Sequence, residues 1–485
     1  MDNQFKKNFL KGSAAASIGT VGGMVFQFLS IVLLTRFITK DDFGIYVLIL
    51  AVINLFEIFG GFGLEVTLVQ FISGVKGERR KKILVPVLIV RIAVLMVIGI
   101  IFYFGGNFIV KYFDQKIIKY VLPITFLFIL SSFRSLFYSL LQGLNYFKKF
   151  SYVNFFSSLL RPCLIYLYFI LNKLNLDSLI VIEIFLTAVP ILHQIFYIPF
   201  RSLISWNFET KTFKDIIKFS YPLYLNDILS FMLGRANIFV IGLYLNPVSV
   251  AHYDVATKAP MALKKVYKSF FIVYFPNLTK LFSIKDNSSA MQLINRALVV
   301  TSTLITFLVL ISFLFSRELV ILLFSERYLA AMLAFALLML NFLIRTISDL
   351  MGYSIVSYGR STVPVKINIL SSILSVGGAF VLIPLYGFMG AVYSSIIMNV
   401  VSLTLFYIAL ANSGIKPDFF PIAKPFLITM AIIIIYFLVG AETLTVKILF
   451  VVVDLIVSWF LVKDYRRLFY FIRKSVLKIK LSKSN

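Results

Sequence analysis

The stretch Leu33-Leu34-Thr35-Arg36-Phe37-Ile38-Thr39-Lys40-Asp41-Asp42-Phe43-Gly44-Ile45-Tyr46 decides the fold class. An apolar run arrives from residue 12, breaks for a single polar turn at Lys40-Asp41-Asp42, and resumes toward residue 72. A turn that short joins two neighbouring helices and leaves no room for a soluble domain. Each flank exceeds the roughly 20 residues that cross hydrocarbon. The segment reads as a membrane hairpin, and the same pattern recurs to the C-terminus.

Composition agrees. The 485 residues are 60% hydrophobic and only 14% charged, whereas soluble domains run at about 45–50% and about 25%. Mean hydropathy is +0.95. Apolar runs give about fourteen spans, including 44–72, 219–244, 250–279 and 328–356. The first run is too long for a cleaved leader and is read as a retained span. The fold class is an all-α integral membrane protein. The lone Cys163 excludes an intramolecular disulfide, and two histidines, His193 and His252, offer little to a metal. His193, beside Gln194, reads as a packed polar residue. No phosphate-binding G-x-x-x-x-G-K-[ST] loop is present, which excludes nucleotide hydrolysis by that route.

A net charge of +26 would suggest nucleic acid in a soluble chain. Here most Lys and Arg fall in alternate connections, such as Lys76-Gly77-Glu78-Arg79-Arg80-Lys81-Lys82, and in the tail after Lys463. That distribution satisfies the positive-inside rule with both termini cytoplasmic, so no nucleic-acid partner is expected. The tail mixes basic and aromatic residues, as an interfacial helix on anionic lipid does. Phe213, Ile216 and Ile217 with Lys211, Lys214 and Lys218 look like a shorter version.

The chain also repeats itself in one orientation. Ile241-Gly242-Leu243-Tyr244 … Val250-Ala251-His252-Tyr253 follows Leu34-Thr35-Arg36-Phe37 … Phe43-Gly44-Ile45-Tyr46. Asn368-Ile369-Leu370-Ser371-Ser372-Ile373-Leu374 follows Asn154-Phe155-Phe156-Ser157-Ser158-Leu159-Leu160 at nearly the same offset. Two pseudo-symmetric six-helix lobes are expected, 1–210 and 211–414, with helices 13 and 14 at 415–462 and a basic tail at 463–485. Such halves suit alternating access.

Some charges remain inside the spans, where an unsolvated cation costs at least about 2.5–3.5 kcal/mol. Span 8 places Asp254, Lys258, Met261, Lys265 and Lys268 on one helical stripe, with Pro260 expected to kink it. Lys258 is read as facing a cavity. Asn341, Arg345 and Asp349 share a face of span 10. Asp227 and Arg235 are loosely cofacial on span 7, and Glu57 and Glu65 flank Gly60, Gly61 and Gly63 on span 2. These carboxylates either bind a coupling proton or sodium ion or balance the charge of an arginine. Arg134 and Glu183 rank lower. Arg91, Arg161, Arg296, Lys366 and Lys447 lie near span ends and are expected to snorkel to the interface. No other cofactor is expected.

The hairpin at 33–46 resembles the first-to-second helix signature of the polysaccharide transporter family, the Wzx-type O-antigen and repeat-unit flippases of the MOP superfamily. Ile383-Pro384-Leu385-Tyr386-Gly387-Phe388-Met389-Gly390-Ala391 is similar to that family's turn before helix 12. The resemblance implies a non-enzymatic flippase in the bacterial cytoplasmic (inner) membrane. It would move an undecaprenyl-pyrophosphate-linked oligosaccharide to the outer leaflet through a central cationic cavity. It supports Arg235, Asp254 and Lys258 as cavity residues, with no family motif fixing the individual positions, and Arg36 matches the family pattern in a substrate-contacting, gating or structural role. Taken with the residue reading, the substrate-binding candidates are Arg235, Lys258, Arg345 and Arg36, and the coupling or charge-balancing groups are Asp254, Asp349, Asp227, Glu57 and Glu65. Expected partners are membrane lipids, the lipid-linked oligosaccharide, and a glycan polymerase and glycosyltransferases; a monomer is expected. Two other readings compete: a multidrug or metabolite cation antiporter of the same superfamily, and a membrane glycan polymerase or glycosyltransferase.

Overall fold

The structure is a computed structural model that describes residues 22–73, 78–111, 115–144, 146–204, 209–440 and 443–461. The basic tail at 463–485 and the start of the first span, residues 12–21, lie outside the described residues. Within them the regular structure is helical. The first half runs α1 (Gly22–Phe37), α2 (Lys40–Gly61), α3 (Leu64–Ile72), α4 (Glu78–Lys111), α5 (Gln115–Ile118), α6 (Val121–Gly143), α7 (Phe147–Ile170), α8 (Leu176–Tyr197) and α9 (Phe200–Leu203). It continues with α10 (Thr210–Gly234), α11 (Ala236–Tyr244), α12 (Pro247–Ser283), α13 (Asn287–Leu314) and α14 (Ser316–Leu323). After a 3-10 turn at Glu326–Ala331 come α15 (Met332–Ser357), α16 (Thr362–Tyr386), α17 (Phe388–Ala411), α18 (Phe419–Val439) and α19 (Leu444–Leu461).

Among the described residues, ten helices are long and apolar enough to cross a membrane. Together with α1, the α10–α11 pair, α12 and α19, they coincide with the spans read from the sequence. The chain is a multi-pass membrane protein.

The turns are set by short polar side chains. Thr39 caps α2: its hydroxyl oxygen accepts the Asp42 N–H at 3.1 Å while the hydroxyl donates to the Asp42 carboxylate at 2.8 Å. Asn175 and Ser178 cap α8 reciprocally. Such pairs satisfy amides that have no partner at a helix start.

Two expected spans are broken. Span 2 divides into α2 and α3 because Phe62 and Gly63 turn left-handed, at φ 48° and 66°. Span 7 divides into α10 and α11 at Arg235, which sits at φ −135°, ψ −9°. Conversely, α12 runs continuously through Pro260.

The chain packs as two compact units, Met1–Asp254 and Val255–Asn485. This division of packing falls inside α12, later in the chain than the repeat boundary at 210/211. In the first unit, α3, α4, α6 and the start of α10 share an apolar core around Leu68, Leu84, Val87, Leu140 and Ile216. Ile216 is fully buried there, with Phe213 and Ile217 packed on the same cluster. This corrects the reading of 211–218 as a helix lying on lipid; it forms the inward-packed first turns of α10. In the second unit, α12, α13, α15, α16 and α17 enclose a core that includes Leu278, Leu298, Met351 and Leu410. There α18 packs on α13, and α19 on α18.

Candidate functional site

The break between α2 and α3 strips the last carbonyls of α2 of their helical donors. A side chain replaces them. Arg91 of α4, with no exposed surface, donates from Nη1 to the Gly60 carbonyl at 2.7 Å and to the Ser132 hydroxyl at 3.0 Å. Its Nη2 donates to the Glu65 carboxylate, which also accepts the Ser135 hydroxyl at 2.9 Å. The break has a second requirement. A Cβ on Gly63 would stand 2.6 Å from the Ser220 carbonyl oxygen, so only glycine lets α10 approach this closely. The buried hydroxyls of Thr67 and Ser220 meet at 2.8 Å beside it.

More charges gather nearby. Glu57 bonds with the Ser131 side chain and lies within electrostatic reach of Arg134, Glu65 and Arg235. Asp227, on α10, lies within reach of Glu65. The first unit therefore assembles Glu57, Glu65 and Asp227 with Arg91, Arg134 and Arg235. Arg91 and Glu65 are in direct contact, the other members are linked through electrostatic reach, and both helix breaks supply members. Beside this cluster an apolar recess of about 500 Å³ is walled by Phe56, Phe59 and Phe62, by Val94 and Val97 of α4, and by Tyr224 of α10.

Three cations expected to snorkel do not. Arg91 is locked as described. Arg161 donates to both the Glu183 carboxylate and the Tyr46 hydroxyl, and that hydroxyl donates to Glu183 at 2.6 Å. Lys447, 4% exposed, donates to Glu318 at 2.6 Å. The physical reason is common to all three: each finds a carboxylate within the protein, so it need not extend to the headgroups.

The second unit holds a separate arrangement. The Arg345 guanidinium pairs with Asp349 at 2.9 Å, one helical turn away. Asn399 of α17 lies 3.5 Å from Arg345 Nη1 and donates to the Asn341 side chain at 2.8 Å. Lys264 of α12 is within electrostatic reach of Asp349, Arg345 and Lys268. Elsewhere on α12, Asp254 is 4% exposed and Lys258 is half-buried, while Arg36 is exposed on α1. Among the candidates read from the sequence, Glu57, Glu65, Asp227 and Arg235 thus come together in the first unit. Arg345 and Asp349 come together in the second.

Comparison with known proteins gives the architecture a family. Residues 33–333 match the family described as polysaccharide biosynthesis protein. This chain belongs to that family. No curated protein sequence matches the chain. The chain resembles in fold the lipid II flippase MurJ in an inward closed conformation, with a TM-score of 0.70 at 17% identity over 94% of this chain and 99% of that one. It also resembles an inward-facing multidrug resistance MATE family transporter of the MOP superfamily. There the TM-score is 0.64 at 13% identity, over 82% of this chain and 98% of that one. The family is therefore that of polysaccharide biosynthesis proteins, and the fold is the one these two transporters share.

Both family-like turn signatures acquire a packing reason in the structure. A Cβ on Gly44 would lie 1.9 Å from the Pro247 carbonyl oxygen, and one on Gly390 would lie 2.1 Å from that of Leu382. Each glycine seats one helix start directly on backbone. Sequence reasoning missed Arg91, Tyr46, Ser131, Ser135 and Asn399 as members of polar networks. Asn399 carried a usable signal, a single amide in an otherwise apolar run of span 12. The serines carried none, since a lone hydroxyl in a membrane helix usually bonds its own backbone.

Proposed function

We propose that this transporter flips a lipid-linked oligosaccharide, carried on undecaprenyl pyrophosphate, from the inner to the outer leaflet of a bacterial cytoplasmic membrane, with both termini inside. The observation that carries the reading is the set of ionisable and amide side chains within the spanning helices of both units. Hydrocarbon would expel such groups, so they imply a hydrated route for a polar cargo. A glycan and a diphosphate cannot cross lipid unaided. Arg235 and Lys258 are the candidates for charge-assisted hydrogen bonds to the diphosphate, with Arg345 and Arg36 as further substrate-binding candidates. Glu57, Asp227, Asp254 and Asp349 are the candidates to balance these cations, while Glu65 balances Arg91; release of the cargo follows when one of those four, with or without a coupling proton or sodium ion, draws a cation back. The prenyl chain stays in hydrocarbon, for which the recess beside Phe59 and Tyr224 is chemically suited.

Leaflet-resolved detection of labelled lipid-linked oligosaccharide tests the proposal. Cells lacking the protein accumulate the inner-leaflet form, and the Arg235→Gln/Lys258→Gln double variant inserts normally but fails to restore flipping. Full flipping by that variant rejects the assignment of these residues. The three carboxylates of the first unit favour a second reading, export of an organic cation. Uptake of a cationic dye into inverted vesicles that depends on Glu57 would support it over the first.

A further inference from the structure

Asn341, Arg345, Asp349 and Tyr353 follow one another at four-residue steps along α15. They form a stripe about 18 Å long at about 1.5 Å per residue. The Tyr353 end of the stripe meets α12, where Phe271 stacks on Tyr353 with ring centroids 4.1 Å apart, and Lys264 is within electrostatic reach of Asp349 and Arg345. Tyr353 nonetheless stays 41% exposed, as does Phe270 at 38%, and Phe270 stacks in turn against Tyr274 at 5.4 Å. The Arg345 and Asp349 side chains are 21% and 26% exposed. Charged groups and an open aromatic face therefore share one partly uncovered surface at membrane depth, a surface that suits water and not acyl chains.

The chemistry of the stripe separates two parts of an anionic glycolipid. A diphosphate needs cations with free donors, but the one cation on α15 itself, Arg345, is already matched by Asp349 and sits beside Asn399. What the stripe and Asn399 of α17 offer together is mixed donors and acceptors: two amides, a carboxylate and a guanidinium. Sugar hydroxyls donate and accept at once, and each pyranose also has an apolar C–H face that lies flat on an aromatic ring. An exposed ring at one end of the stripe, with an ion pair and an amide pair further along it, meets both demands.

Resting on the flippase reading above, we propose that this α12–α15–α17 surface is the glycan-reading wall of the transporter. Tyr353, backed by Phe271, carries one sugar ring. Asn341, Asn399, Arg345 and Asp349 bond the hydroxyls of its neighbours and so set which repeat units are accepted.

Binding by the full-length protein in detergent tests this with two probes. One is undecaprenyl pyrophosphate; the other is the same lipid bearing the oligosaccharide, extracted from cells lacking the transporter. Wild type is expected to hold the glycan-bearing lipid more tightly. Tyr353→Leu is expected to weaken that lipid about tenfold, in line with the loss of one stacked ring, while bare undecaprenyl pyrophosphate changes less than about twofold. Tyr353→Phe keeps the ring and restores binding. Where Tyr353→Leu does not fold, Asn399→Ala carries the same test with the same expected selectivity. Equal loss for both probes, or no loss for either, overturns the wall and leaves the flippase reading standing, as does a wild type that binds both probes equally. A wild type that binds neither probe refutes the flippase reading and the wall with it.

Discussion

Removing the Glu65 carboxylate by Glu65→Leu should damage this protein more than removing its partner by Arg91→Leu. Both members of the pair are held by several bonds, but their surroundings differ. Arg91 is 0% exposed, whereas the Glu65 side chain is 28% exposed and keeps the Ser135 hydroxyl. Without Glu65, a guanidinium remains in a site that water does not reach, with only the Gly60 carbonyl and the Ser132 hydroxyl to solvate it. Breaking a buried pair in that way costs about 3–5 kcal/mol. Without Arg91, Glu65 turns toward water, and the main loss is the bond to the Gly60 carbonyl, about 1–3 kcal/mol for a buried acceptor left unmade. The double variant Arg91→Leu/Glu65→Leu removes both charges and leaves only the carbonyl penalty, so it should lie near the Arg91 single. Thermal unfolding of the detergent-solubilised protein, followed by near-ultraviolet circular dichroism, reads the order. At roughly 2–4 °C per kcal/mol for large domains, Glu65→Leu should melt about 6 °C or more below wild type, with the double variant recovering part of the loss. Strict additivity of the two singles, or a more harmful Arg91→Leu, would show that the two groups do not act as a locked pair.

Other perturbations follow from the same geometry. Gly63→Ala forces a left-handed residue to carry a Cβ against the Ser220 carbonyl; a loss of about 2–3 kcal/mol and weaker cross-linking between cysteines placed on α3 and α10 are expected. Glu183→Gln leaves Arg161 facing only a phenol and an amide, and should lower the melting temperature by several degrees, with Glu183→Asp milder. Asp349→Asn unpairs a partly hydrated Arg345, so its stability cost stays within about 1 kcal/mol, whereas flipping of the labelled glycolipid should fall severalfold. Asp286 accepts the Ser289 N–H, bonds with the Ser289 side chain, and its carboxyl is held below the usual Asp range. A depressed value stabilises the folded chain above the unfolded pKa and is lost as pH falls through the folded one. Hydrogen exchange in the first turn of α13 should therefore accelerate below about pH 4 in wild type and show no such step in Asp286→Asn.

Much of the fold was legible because hydrocarbon imposes a single rule, that every spanning backbone must be helical. The turn at Lys40–Asp42 therefore located α1 and α2, and the polar interruptions located the remaining helices. The breaks at Phe62–Gly63 and Arg235 were less legible. Hydropathy averages over a turn or more, and a two-residue change of backbone hand leaves the average untouched. The glycines around Glu57 and Glu65 did mark the first break; nothing comparable marked the second except the lone arginine that now sits in it. For the charged residues, spacing along one helix found the Arg345–Asp349 pair, since its partners share a helix face. It could not find Arg91 with Glu65, or Arg161 with Glu183 and Tyr46, because those partners come from different helices and meet only after packing.

The difference between these two kinds of charge bears on mechanism. A cation that is fully buried and carries a hydrogen-bonded carboxylate, as Arg91 does, is too expensive to move: releasing it would leave an uncompensated ion in a dry site. Such a residue fixes backbone, and here it fixes the hinge between α2 and α3 against α4 and α6. A pair that is a fifth to a quarter exposed, as Arg345 and Asp349 are, can trade partners, because water covers the charge while one contact is exchanged for another. Cargo binding must draw on the second kind, since only there does a hydroxyl or an anion displace water and not a structural bond. Net charge alone therefore does not find the route of a substrate through this protein. Under the proposed function, partial exposure at membrane depth favours the stripe on α15 over the fully buried Arg91.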